Sequence, residues 1–324
     1  MFRQFDVNRL VTVFGGSGFV GRHLVRALCK RGYRIRVAVR RPDLAGFLQP
    51  LGRVGQIHAV QANLRHAGSV EAALRDADAA INLVGIMLET GKQRFSAVQG
   101  EGAGTVAKAA AALNIPLVHM SALGANADSA SAYARAKAEG ERLVLEAKPD
   151  AVIFRPSIIF GPDDSFFNRF AGMARLSPVL PLIGGGETRF QPVFVGDVAA
   201  AMADAVDGKA TGGTVYELGG PEVRNFKELM QEMLQVIGRK RLLLPIPFPV
   251  AKTMGAIAGI LPNAPLTSDQ VELLKSDTVV SEAATRESRT FAHFGIKPQL
   301  MEALLPSYLW RYRRAGQYSR CAVL

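Results

Sequence analysis

A chain of 324 residues, 48% hydrophobic and 7% aromatic, carries apolar material for a large core, which excludes a disordered chain or a disulfide-stapled miniprotein. Its two cysteines, Cys29 and Cys321, lie far apart and match no metal-ligand spacing, so a reducing compartment is expected. The formal charge of +11 is uneven: residues 1–55 hold eleven Lys/Arg against two acids, 301–324 hold four against one, and the stretch between is near neutral. An anionic ligand near the first segment, and an anionic surface near either, follow from that imbalance.

Residues 1–9 are short and polar, with neither an apolar signal region nor room for a transit peptide, and no run of about 18 apolar residues occurs. A cytoplasmic protein without a spanning helix is therefore expected. From there, apolar β-rich runs at 10–14, 35–39, 57–60, 79–84, 117–120 and 151–154 alternate with helical spacing at 20–30, 70–75, 102–113 and 133–147. That alternation predicts an α/β fold with a doubly wound parallel sheet. Beyond it the alternation weakens and most of the prolines gather, as in Leu244-Pro245-Ile246-Pro247-Phe248-Pro249. The expected organisation is a nucleotide-binding domain over 1–155 and a smaller, irregular α/β part over 156–324, interleaved with the sheet.

The first run feeds Gly15-Gly16-Ser17-Gly18-Phe19-Val20-Gly21 and then a helix. Gly15 suits a tight turn, Gly18 lets backbone approach a pyrophosphate, and Gly21 lets helix pack close on strand. The helix N-terminus adds free N–H groups and partial positive charge, so all seven residues are expected against a dinucleotide in a Rossmann-type unit. Where an acid would accept from the ribose of NAD, the chain has Val39-Arg40-Arg41-Pro42. Arg40 and Arg41 could fork onto a 2′-phosphate or stand as ordinary solvated arginines; the first alternative favours NADP(H) over NAD(H). Asn63 and Leu64 follow the third strand, where adenine would lie, and Val84-Gly85 end the fourth, where backbone nears ligand.

Two further motifs join these: Tyr133-Ala134-Arg135-Ala136-Lys137, and Phe154-Arg155-Pro156-Ser157-Ile158-Ile159-Phe160-Gly161-Pro162. With the glycine spacing, they resemble the short-chain dehydrogenase/reductase superfamily in its extended, atypical branch. The latter motif is similar to the segment that closes over nicotinamide there, through Pro156 and Ile158. Within that branch the chain resembles the nucleotide-binding accessory subunits of respiratory complex I and their bacterial relatives. Ile81-Asn82-Leu83-Val84-Gly85, His119-Met120-Ser121-Ala122-Leu123-Gly124-Ala125-Asn126, Pro265-Leu266-Thr267-Ser268-Asp269-Gln270-Val271 and Trp310-Arg311-Tyr312-Arg313-Arg314 carry that likeness. It implies a bound NADP(H) serving mainly structure, respiratory complex subunits as partners, a peripheral place on the inner face of a bacterial inner membrane, and a link to ubiquinone-dependent electron transfer. It also implies Tyr133 as general acid/base, Lys137 as the group that lowers its pKa and holds the nicotinamide ribose, and Ser121 as the group polarising a substrate oxygen. Many relatives place that hydroxyl a couple of residues later, where this chain has Ala122 and Leu123. Cofactor holding without turnover therefore stands beside an alternative, an active NADP(H)-dependent reductase or epimerase/dehydratase acting on a small carbonyl or a nucleotide-sugar.

The remaining candidates read as structure. The five histidines show no paired spacing, so no metal is expected, and His119 in an apolar strand reads as a hydrogen-bonded core or cleft residue. Asp163 and Asp164 suit a turn or cap, Asp197 an N-cap, and Arg189, beyond Gly184-Gly185-Gly186, either an anion contact or a salt bridge. Without interleaved aromatics or a recognisable module, nucleic acid is not an expected partner. An apolar helix over 250–261, set between Pro249 and Pro262 and preceded by Arg239-Lys240-Arg241, is either cleft-lining or interfacial.

Overall fold

The computed structural model describes residues 9–259 and 266–318; Pro265 and Cys321, and the end of the 250–261 segment, lie outside the described residues. The chain divides into two compact units. Unit one holds 9–156, 196–218 and 282–296, and unit two the rest.

Unit one is built from β1 (Leu10–Phe14), α1 (Phe19–Lys30), β2 (Arg34–Val39), β3 (Ile57–Gln61), α2 (Ala67–Leu74), β4 (Ala79–Asn82), α3 (Glu101–Ala112), β5 (Leu117–Met120), α4 (Ala132–Ala147) and β6 (Val152–Pro156). Labels run in chain order, so the elements that return later to this unit include β11 (Val215–Leu218) and α10 (Glu282–Arg286). The seven strands pair in the order β11-β6-β5-β4-β1-β2-β3, all parallel. A parallel sheet covered on both faces needs strands that are apolar throughout, and Val11, Val13, Ile81 and Ile153 are wholly buried accordingly. One layer packs β4, β5 and β6 against α2, α3 and α4 through Val70, Leu74, Val106, Leu117 and Val144. The alternation of strand and helix thus yields the doubly wound Rossmann-type sheet expected. Strand order reverses between β1 and β4, and ligands of such sheets bind outside the carboxyl ends of the strands at that point.

β4 stops at Asn82, two residues short of expectation. The Asn82 carboxamide oxygen accepts from the Val84 N–H at 3.1 Å, so a side chain takes over from the ladder and turns the chain away.

Unit two is smaller and less regular. β7 (Ile159–Phe160) pairs in parallel with β10 (Val193–Phe194), β9 (Arg189–Phe190) antiparallel with β12 (Arg224–Asn225), and β8 (Val179–Ile183) in parallel with β13 (Leu242–Ile246). Around them lie α5 (Phe167–Leu176), α7 (Phe226–Val236), α8 (Phe248–Ala258), α9 (Ser268–Leu273) and α11 (Met301–Leu309). Phe160, Phe167, Phe190 and Phe226 form its centre with Met230 and Met233. Asp164 acts as a cap: its carboxylate accepts from the Gly161 and Asn168 N–H groups and, at 2.6 Å, from the Tyr308 hydroxyl.

Two sequence expectations are corrected. Asp197 lies inside the first turn of α6 (Val195–Val206), favourable for the dipole, rather than at its N-cap. α8 begins at Phe248 and takes Pro249 into its first turn, where a missing N–H costs nothing, so Pro249 does not bound it.

Candidate functional site

Gly15 follows β1 with φ +76°, a left-handed conformation that suits glycine, and the loop then closes through Gly18 N–H to Gly15 O at 3.0 Å and Arg22 N–H to Gly18 O at 3.0 Å. A Cβ on Gly21 would stand 2.5 Å from both Gly15 O and Gly16 O, so α1 packs on the loop at a distance only glycine allows. No side chain caps α1 and no acid lies in its first turn. Its leading N–H groups and positive dipole end are left for an anion. Gly16 and Val20 are buried, Gly18 is exposed, and Ser17 and Phe19 are half-buried beside it.

At the end of β2 the two arginines differ. Arg41 is exposed and forks onto Asp43, with nitrogen–oxygen distances of 2.7 and 3.0 Å. Arg40 is exposed and makes no ion pair among the described residues. Beyond β3, Asn63 is half-buried, its carboxamide oxygen accepting from Arg65 N–H, whereas Leu64 is core, under Gly102. Val84 lies against Gly15, and Gly85 is exposed beyond it.

α4 carries the second half of the site. Ser131 caps it by accepting from Ala134 N–H, and four-residue spacing sets Tyr133 and Lys137 on one face, the Lys137 ammonium 6.0 Å from the centre of the Tyr133 ring. Tyr133 also meets the edge of Phe95 at 5.7 Å. Lys137 is buried and donates to Met120 O at 3.1 Å; burial pushes its pKa down to about 8, with Glu141 opposing. Glu141 in turn holds Arg155 of β6 by two bonds of 2.5 and 2.8 Å.

Three polar atoms beside this face lack a hydrogen-bond partner among the described residues: Ser121 Oγ, His119 Nε2 and Gln99 Nε2. Their residues are each at most 3% exposed. His119 Nδ1 meets the Asn82 amide at 3.2 Å, and burial, with Lys137 behind it, pushes its pKa down to about 3, so the ring stays neutral. Gln99 sits on a π-helical turn (Ser96–Gly100), and its carboxamide oxygen accepts from Ile86 N–H just past Gly85. Sequence reasoning misses Gln99, because nothing in the sequence marks a π-turn; such turns often occur at functional sites.

The glycine loop, Arg40, Val84, Gly85, Ser121, Tyr133, Lys137 and Pro156, whose carbonyl accepts from Leu123 N–H, therefore all belong to unit one. Ile158 belongs to unit two, packed on its aromatic core. The residues fit a bound dinucleotide: a glycine loop no larger residue could make, an uncapped helix start, and unpartnered buried polar atoms beside Lys137. In unit two, Arg189 is occupied by Asp277 at 2.8 Å, which resolves its two readings in favour of the salt bridge.

Residues 11–219 match the model of the NAD dependent epimerase/dehydratase family. The chain belongs to that family. Within it, the chain is 36% identical to the mitochondrial NADH dehydrogenase (ubiquinone) 1 alpha subcomplex subunit 9 of Arabidopsis thaliana, over 95% of this chain and 79% of that one. It is 32% identical to a ceramide reductase of Caulobacter vibrioides over 96% of both. In fold it is similar to the NADPH-dependent quinone oxidoreductase QOR2 of Escherichia coli complexed with NADPH, with a TM-score of 0.71 at 19% identity over 92% of this chain and 98% of that one. The likeness to complex I subunits read from the motifs thus extends over nearly the whole chain. As a member of the NAD dependent epimerase/dehydratase family, it is expected to bind a nicotinamide cofactor.

Proposed function

We propose that this chain holds NADP(H) in unit one as a resident group, and serves, in the manner of a complex I accessory subunit, as a structural or regulatory protein beside a respiratory membrane, linked to ubiquinone-dependent electron transfer. One observation carries the reading. The glycine loop and the uncapped start of α1 support phosphate binding, whereas Ala122 and Leu123, where many relatives place the hydroxyl that polarises a substrate oxygen, carry none. The glycine loop and the first turn of α1 hold the pyrophosphate, and Lys137, charged below about pH 8, holds ribose hydroxyls.

Arg40 is the residue that selects NADP(H), since Arg41 is already committed to Asp43. Losing a charged hydrogen bond to the 2′-phosphate weakens binding by about 10- to 100-fold. Arg40→Ala is accordingly expected to raise the Kd for NADPH by that factor and leave NADH within about twofold. Equal loss for both nucleotides would show that Arg40 does not read the 2′-phosphate.

Tyr133 and Lys137 on one face of α4, with a ceramide reductase similar across the whole chain, favour a second reading, an NADP(H)-dependent reductase or epimerase/dehydratase. NADPH, when bound, supplies hydride; Tyr133 would give its hydroxyl proton to the carbonyl oxygen, and Lys137 would stabilise the phenolate left behind. Identifying the nucleotide released from denatured protein separates the two. The first reading expects near-stoichiometric NADP(H) that survives incubation with ubiquinone analogues, small carbonyls and ceramide-like ketones. Exchangeable cofactor consumed by one of these, with turnover lost in Tyr133→Phe, would replace it with the second. A protein that arrives empty and binds no NADP(H) would overturn both.

A further inference from the structure

Unit two brings together three segments that carry no acid. Residues 165–186, 233–259 and 303–318 hold nine Lys/Arg and no Asp or Glu. Backbone and side-chain bonds stitch them side by side: Arg241 Nε donates to Ala174 O at 2.7 Å, Leu242 N–H to Pro178 O at 3.0 Å, Arg239 Nε to Tyr312 O at 2.9 Å and Arg313 Nε to Val236 O at 2.9 Å. The charges gathered there are near enough to feel one another: burial, together with Arg241, Arg314 and Arg175, holds Arg239 below the ordinary arginine range. Lys252 and Arg311 are set apart, since they pair with Glu272 and Asp163.

Aliphatic side chains stand out of the same segments. Leu176, at the end of α5, is 90% exposed, and Leu242 is 63% exposed at the start of β13. Leu244 follows on the same face of that strand, while Leu243 between them turns into the aromatic core. After Pro247, α8 continues with Val250, Met254 and Ile257 exposed along one stripe, its Ala251 and Gly255 turned inward. Large aliphatics are seldom left in water in such number beside a cationic cluster unless something covers them.

We propose that this face of unit two docks on a bilayer containing anionic phospholipid, with Leu176, Leu242, Leu244 and the α8 stripe entering the boundary between headgroups and acyl chains, and the arginines pairing with lipid phosphates. Charge complementarity selects this occupant. A second copy of the chain would bring the same positive charge against it, and no described helix is long and apolar enough to cross a membrane. The inference deepens the proposed membrane-side role and rests on it, although none of its residues belongs to the nucleotide site.

The test is sedimentation of the full chain with vesicles of phosphatidylcholine, with and without phosphatidylglycerol. Two variants use exposed side chains that make no bonds to other segments among the described residues: Arg175→Glu/Lys240→Glu/Arg314→Glu, and Leu176→Ser/Leu242→Ser. Wild type is expected on phosphatidylglycerol vesicles only, with salt weakening the interaction. The charge variant should lose at least about 100-fold in affinity, at roughly fivefold per basic residue near such a surface. The leucine variant should lose about 10-fold or more, and both should keep wild-type nucleotide content. Equal binding to neutral vesicles, or variants that bind like wild type, would overturn the proposal. So would binding to native membranes but not to vesicles of their extracted lipids, which would mean a protein partner. Protein that lacks NADP(H) yet sediments with vesicles, and loses this in the variants, would sink the proposed function and leave the surface standing.

Discussion

Gly21→Ala is expected to weaken NADP(H) binding by about 100-fold or more and to destabilise unit one by about 3 kcal/mol, the upper part of the range for forced overpacking. The new methyl would meet Gly15 O and Gly16 O at 2.5 Å. Both are backbone atoms of the turn that must receive the pyrophosphate, so neither can rotate away as a side chain would. Relief comes only by lifting α1 off the loop, and the uncapped N–H groups of its first turn move with it. Displacing an aligned set of donors costs binding steeply, because each charge-assisted bond depends on distance and angle. Gly18→Ala is the control: its methyl would meet only Gly15 O at 3.2 Å, so the fold should hold and any loss should appear in affinity alone. Calorimetric titration with NADPH and thermal unfolding by circular dichroism check both. A Gly21→Ala protein with wild-type affinity would mean that the glycine loop is a turn without a ligand.

Glu141→Ala should cost about 3–5 kcal/mol, the usual penalty for removing one member of a buried, hydrogen-bonded ion pair. The Glu141 side chain is 7% exposed and that of Arg155 29%, and the pair bolts α4 to β6 by two bonds. Without the carboxylate, Arg155 keeps Glu217 as its remaining acidic neighbour. The same carboxylate also supports the charge on Lys137, which burial has already pushed down to about 8. Its removal therefore drops Lys137 further, and affinity that depends on the ammonium should begin to fade at lower pH than in wild type. Urea unfolding reads the first effect and the pH dependence of the NADPH Kd the second. Glu141→Gln, which keeps one acceptor, should fall between. A Glu141→Ala protein with unchanged urea midpoint would refute the assignment of this pair as a fastening between helix and sheet.

Much of unit one is legible in the sequence, and the reason is local. The strands from β1 to β6 each carry an apolar run, although β2 opens on Arg34 and Arg36 and β3 includes His58, so each stands out in the sequence, and each helix between them shows a repeat of its own. The phosphate loop is contiguous, so its turn, its close approach and its helix start can be read from seven residues. Tyr133 and Lys137 share a face because they are four apart on a helix, whatever the rest of the chain does. Errors fall where a side chain replaces a backbone rule, as Asn82 does in ending β4, or where proline enters a first turn, as Pro249 does in α8.

By itself, then, the sequence determined an α/β chain with a parallel sheet, a nucleotide loop after its first strand, a Tyr–Lys face on a later helix, and an excess of positive charge. Only the tertiary structure decided which polar groups are committed and which remain open. It pairs Glu141 with Arg155 across fourteen residues and turns Gln99 inward on a π-helical turn. It returns 196–218 and 282–296 to unit one, and stitches three acid-free segments of unit two side by side. Local spacing specifies elements because their hydrogen bonds close within a few residues. Pairings between distant segments depend on which surfaces are buried together, and that is settled only when the core is formed.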